Sequence, residues 1–303
     1  MRKNEKEVNN VIQTKSLTKK FGNKIAVNNL SLHVKRGEIY GLIGKNGAGK
    51  TTLMKMLLGL TNPNSGTLSL FGNSNPSIAR KKIGSLIETP ALYKNASAFE
   101  NMKRFAILSP TSDDEIRNIL ELVGLSDTGT KKAGDFSLGM KQRLGIAIAL
   151  LGNPEVLILD EPINGLDPAG IKEIRDLILQ LNHNGVTILI SSHLLDELGK
   201  IATTYGIMSN GVLVEEITAT ELNEKCKSAL YVTTNNCFAA EQVLKNAMPN
   251  IEISISENRL AIPIFGVDAS KVNRLLVESG IDVYELKCHR IGYEEYFIER
   301  MGK

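Results

Sequence analysis

Residues 39–43 form a short apolar run that gives way to Gly44-Lys45-Asn46-Gly47-Ala48-Gly49-Lys50-Thr51. Leu53, Met56, Leu57 and Leu60 follow at i, i+3, i+4 and i+7. A strand, a glycine-rich loop and a helix in that order match the spacing G-x-x-x-x-G-K-[ST], which wraps phosphate groups. Glycines let successive backbone N–H groups curl around anionic oxygens, and the start of the helix adds positive potential. Lys50 then reaches the outer phosphates of a nucleoside triphosphate, Thr51 offers its hydroxyl to Mg²⁺, and Thr52 belongs to the same cradle. A plain glycine turn is the competing interpretation; the flanking strand and helix weigh against it.

A second apolar run, Val156, Leu157, Ile158 and Leu159, ends in Asp160 and Glu161. Acids at the end of a buried strand stand where open α/β sheets bind their ligands. Asp160 suits Mg²⁺, mostly through water, and Glu161 suits a base that orients or polarises an attacking water. Alone, such acids more often cap a helix. Beside a phosphate loop they read as catalytic.

The surrounding pattern must place these groups on one side of a sheet. Residues 25–34 largely alternate apolar and polar, 67–71 return to strand, and 186–191 form another apolar strand. The stretch 90–134 is helical, with Ser112 and Glu115 as a capping box, and helices are expected at 137–151, at 171–181 and from 194 onward. Strands alternating with helices predict an α/β fold of P-loop type, a mainly parallel sheet covered on both faces. Beyond Thr220 the order becomes βαββαβ: strand 229–234, helix 239–245, a hairpin over 251–264 around Glu257 and Asn258, helix 267–278, strand 283–288 and helix 293–300. The expected layout is a nucleotide-binding domain at 12–220, with a helical subdomain at about 90–135, and a small α+β ferredoxin-like domain at 221–303.

Composition narrows the function classes. A chain of 303 residues holds one large domain and a small one. A net charge of +3 is too small to suggest a nucleic-acid binder. The longest apolar candidate, 144–159, is broken by Gly152, Asn153, Pro154 and Glu155, so no membrane span is expected. The basic start at 1–7 has no apolar core behind it, so no signal peptide is expected either. Cys226, Cys237 and Cys288 show neither pairing nor metal spacing, and buried thiols in a reducing compartment are expected.

Four further segments make the chain resemble ABC-type ATPases over residues 12–217. Phe21 stands where that family places an aromatic against adenine. Phe136-Ser137-Leu138-Gly139-Met140-Lys141-Gln142-Arg143 is similar to the signature motif L-S-G-G-Q, with Leu138 for the first Gly and Met140 for Gln. Gly165-Leu166-Asp167 resembles the dimer-contacting D-loop, and His193 sits at the switch-histidine position. The resemblance implies ATP and Mg²⁺ as ligands, and a homodimer in which Ser137 and Gly139 grip the γ-phosphate held by the other copy. His193 would sense that phosphate together with Glu161, whereas His33, His183 and His289 are expected to be ordinary surface or packing residues.

Glu88 falls where the family's Q-loop normally has glutamine. An ionised glutamate only accepts hydrogen bonds. It would bring negative charge towards Mg²⁺ and the attacking water, strengthening metal contact while repelling phosphate; a solvated loop glutamate is the plainer alternative. A Glu here resembles the subgroup that protects bacteria against lantibiotics, and bacitracin-type exporters are similar overall. The resemblance therefore implies an ATPase that drives separate membrane permease subunits from the cytoplasmic face and exports a lantibiotic or related peptide antibiotic, for self-immunity or resistance. A soluble ABC-type ATPase acting on ribosomes or DNA is the alternative; its usual second nucleotide module, charged linker or long coiled coil is missing from the sequence.

Overall fold

In a computed structural model, the protein is described at residues 10–302 other than 74, 227, 250, 257–258, 264–267 and 291. Contacts group the chain into two units. One runs to Ala219 and takes back Phe297–Lys303; the other is Thr220–Tyr296.

The first unit opens with β1 (Asn10–Phe21) and β2 (Lys24–Lys35), an antiparallel pair turned at Gly22. Next come β3 (Ile39–Gly44), α1 (Lys50–Leu57), β4 (Ser65–Leu70), α2 (Pro76–Ala79) and β5 (Ile83–Leu86). The helical stretch is α3 (Ala98–Ala106), α4 (Asp113–Leu122) and α5 (Leu138–Ala149). The unit continues with β6 (Val156–Asp160), α6 (Pro168–His183), β7 (Thr187–Ser192), α7 (Leu195–Leu198), β8 (Thr204–Ser209) and β9 (Val212–Thr218).

Two sheets result. β2-β1-β4 is antiparallel, and Val27, Leu30, Leu32 and Val34 of β2 point into the core while their polar neighbours face water. The larger sheet runs β5-β6-β7-β3-β8-β9, parallel throughout except for β9 against β8. β3, β6 and β7 are buried along their whole length, the reason they read as unbroken apolar runs. Helices α3 and α4 each begin with a capping box, Ser97 with Glu100 and Ser112 with Glu115. The Ser97 and Ser112 backbone N–H groups hold the two glutamates below the usual carboxylate range.

Three expectations change. Leu60 does not extend the buried face of α1, because Gly59 leaves the helix at φ 76° and Leu60 faces solvent. The helix expected from 194 onward is a single turn, α7, followed by the hairpin β8–β9 that closes the sheet. Cys226 and Cys237 are buried, but Cys288 is exposed, because it lies near the end of an edge strand, β13.

That strand belongs to the second unit. Here α8 (Ala219–Lys225) leads into β10 (Ser228–Thr234), α9 (Cys237–Ala247), β11 (Ser254–Ser256), β12 (Arg259–Pro263), α10 (Ala269–Glu278), β13 (Val283–Arg290) and α11 (Tyr293–Gly302). The sheet order is β11-β12-β10-β13, antiparallel at every step, with Leu230, Val232, Leu244, Leu260, Ile262 and Val272 in its core. The turn residues Glu257 and Asn258, and the expected ends Ile264 and Val267, lie outside the described residues. The last part of α11 belongs to the first unit. Phe297 is fully buried there, its ring 5.5 Å from that of Tyr205, and Ser209 Oγ donates to the Met301 carbonyl at 3.0 Å.

Candidate functional site

β3 delivers Gly44 to the phosphate-type loop, and α1 leaves it at Lys50. Gly49 adopts φ 106°, a left-handed conformation that strains residues bearing a side chain. A Cβ there would also lie 2.4 Å from the Ala26 carbonyl oxygen, so glycine is required twice over. No side chain caps α1, which leaves its first N–H groups facing the loop.

Lys50 is 6% exposed; its ammonium donates to Gly44 O at 2.6 Å and lies 3.3 Å from Glu161 Oε1. That second contact lacks hydrogen-bond alignment, and Glu161 Oε1 is a buried acceptor with no hydrogen bond. A buried cation beside a loop of open N–H groups is a receptor for an anion.

β6 and β7 run in register, pairing Asp160 with Ser191. Asp160, 2% exposed, accepts from Thr51 Oγ1 at 2.7 Å and from Ser191 Oγ at 2.6 Å. Glu161 takes φ 50°, rare for a residue with a side chain, and its N–H donates to Ser191 Oγ at 2.9 Å and to Ser191 O at 3.2 Å. Its Oε2 lies 2.8 Å from His193 Nδ1 and accepts from the His193 N–H at 3.3 Å. An ionised carboxylate only accepts, so Nδ1 then carries the proton. The two acids, the loop lysine and His193 thus form one connected group. Ser191, which ties the acids together, is not among the residues that the sequence singles out; its signal there is a polar end to an apolar strand, just before His193.

The remaining candidates stand apart from that group. Phe21, 53% exposed at the end of β1, carries Lys19 Nζ 4.9 Å from the centre of its ring. Ser137 caps α5, accepting from the Met140 N–H at 3.2 Å, while its hydroxyl proton remains available for a partner. Asp167 caps α6 through the Gly170 N–H at 3.0 Å. Among the described residues, no hydrogen bond or ion pair joins Ser137, Gly139 or Asp167 to the 44–51 loop. Glu88, 63% exposed at φ 59°, does not join the Thr51–Asp160 pair either: Lys55, one turn along α1, takes its carboxylate at 2.7 Å.

Thr51 and Asp160 are hard oxygen donors of the kind Mg²⁺ accepts, one hydroxyl and one carboxylate. No group of three or more His, Cys, Asp and Glu is clustered for a metal among the described residues. An ion here would take most of its ligands from phosphate and water.

Residues 27–164 match the family described as "ABC transporter". The bacitracin transport ATP-binding protein BcrA of Enterococcus faecalis is 41% identical over 297 residues, covering 96% of this chain and 96% of that protein. The chain belongs to the ABC transporter ATP-binding family.

This family hydrolyses ATP, and ATP is accordingly the substrate of this ABC ATPase. The lantibiotic transport ATP-binding protein SrtF of Streptococcus pyogenes is 44% identical over 206 residues, 68% of this chain and 90% of that one. A solved ATP-binding subunit of an ABC transporter superposes with a TM-score of 0.63 at 29% identity, covering 71% of this chain and 92% of that chain. No helix among the described residues of this ABC ATPase is long and apolar enough to cross a membrane.

Proposed function

We propose that this chain is the ATP-hydrolysing subunit of an exporter for a peptide antibiotic of the bacitracin kind. It works as a homodimer on the cytoplasmic face of an integral membrane permease. The observation that carries this reading is likeness along the whole length: the bacitracin transport relative covers the chain with its C-terminal unit, whereas the lantibiotic relative covers 68% of it. A lantibiotic is the second cargo class, favoured by the glutamate at 88.

In this reading the 44–51 loop and Lys50 bind the triphosphate while Phe21 stacks on adenine. Thr51 and Asp160 would hold Mg²⁺, which when bound offsets the charge of the phosphates. Glu161 orients the attacking water and takes its proton, and His193 keeps the other carboxylate oxygen in place. Ser137 and Gly139 of one copy reach the phosphate held by the other, with Asp167 at the same seam. That arrangement gives the α5 N-terminus a ligand, and loss of the terminal phosphate loosens the dimer. In this reading the permease docks on the helical region. A groove of about 450 Å³ there is lined by Lys103, Ile107, Pro110, Thr111 and Ile116, beside exposed Leu108.

The test is protection of a sensitive bacterium expressing this chain with its permease. Bacitracin resistance should rise and should vanish with Glu161→Gln, which keeps ATP bound but unhydrolysed. Intact ATP hydrolysis with no protection against bacitracin or a lantibiotic would overturn the export reading.

A further inference from the structure

The Lys55–Glu88 pair at the border of the site has no task in the ATPase reading. Its two members come from different elements. Lys55 is four residues after Thr51 on α1, hence on the same face of that helix. Glu88 lies two residues beyond Leu86, the end of β5, and Leu86 pairs with Leu159, the neighbour of Asp160. The loop carrying Glu88 therefore leaves the sheet at the same end as Asp160. Left-handed backbone at Glu88, φ 59°, is uncommon for a residue with a side chain and costs conformational energy. From that backbone the Glu88 carboxylate meets Lys55 Nζ at 2.7 Å.

We propose that Lys55 is the counter-ion that makes an acid workable at position 88. It is a positioning residue: it fixes Glu88 at the rim of the phosphate loop and cancels its charge against the incoming triphosphate. The proposal rests on the ATP reading of the loop. A neutral side chain at 88 would need no such partner. A carboxylate at 88 without Lys55 would instead repel the phosphates across partly exposed space, where salt screens charge.

The experiment compares Lys55→Met, Lys55→Arg, Glu88→Gln and the double variant Lys55→Met/Glu88→Gln. The readouts are equilibrium binding of a fluorescent ATP analogue with Mg²⁺, at low and high salt, and the melting temperature without nucleotide. Lys55→Met should weaken binding about threefold to fivefold at low salt, the range open to an exposed pair. The loss should shrink at high salt, be absent in Lys55→Arg and be suppressed in the double variant. An equal loss in the Glu88→Gln background, or a loss indifferent to salt, would overturn the proposal, because Lys55 would then act on the nucleotide or on folding directly. Unchanged binding in Lys55→Met would overturn it as well. Should the parent protein itself fail to bind, it is the ATP reading that fails, and the two failures stay distinguishable.

Discussion

Ser191→Ala is the sharpest probe of how the site is held. The Ser191 side chain is fully buried and does two things: it donates to Asp160 Oδ1 at 2.6 Å and accepts from the Glu161 N–H at 2.9 Å. A hydrogen bond to a charged group contributes about 1.5–3 kcal/mol, and stranding a buried carboxylate oxygen adds to the loss. Two contacts limit the damage. Asp160 keeps Thr51 at 2.7 Å, and the Glu161 N–H keeps the Ser191 carbonyl at 3.2 Å. The expected net loss is therefore about 2 kcal/mol, near the low end of that range. For a folding unit of this size it lowers Tm by roughly 4–8 °C. Catalysis should suffer more than stability. Glu161 is held at φ 50° by these contacts, and a carboxylate displaced by a fraction of an ångström costs roughly tenfold or more in turnover. Calorimetry without nucleotide and phosphate release at saturating ATP and Mg²⁺ measure the two effects. A variant that melts with its parent and turns over at the parent's rate would refute the idea that Ser191 positions the acids.

Burial, and after it Glu216, raises the Tyr40 phenol well above its ordinary value of 10.0, so the unfolded chain gives up that proton first. The associated stability is whole below about pH 10 and is lost as pH climbs towards the folded value; denaturant titrations should show Tyr40→Phe losing less than its parent between about pH 9 and pH 11. Ser137→Arg should abolish hydrolysis while nucleotide binding by the monomer persists; loss of binding would count against assembly of the site from two copies.

What could be read from the sequence is what is local. The loop 44–51 announces itself because its glycines serve backbone conformations set within a few residues, and Gly49 has no alternative at φ 106°. Caps are equally local: Ser112 with Glu115 is visible at a spacing of three. The family resemblance was equally legible, since each of its motifs is a short run of residues. Contacts between distant residues were not legible. Ser191 meets Asp160 across 31 positions, and Lys55 meets Glu88 across 33, through a strand order that no single segment specifies. The stretch after 194 misled for a related reason. Leu194, Leu195, Leu198 and Ile201 repeat at helical spacing, yet Thr204–Ser209 is drawn into the sheet beside β3, where every position but the last is buried.

The return of Phe297 to the ring of Tyr205 changes what the C-terminal region is. Residues 220–296 are an insert whose two ends are both stitched into the same host, through Ala219 on one side and Phe297 on the other. Trimming the chain from its end would uncover Tyr205 before it removed any of the insert. A faithful excision has to leave Phe297 and the helical residues after it in place and rejoin the chain ahead of them.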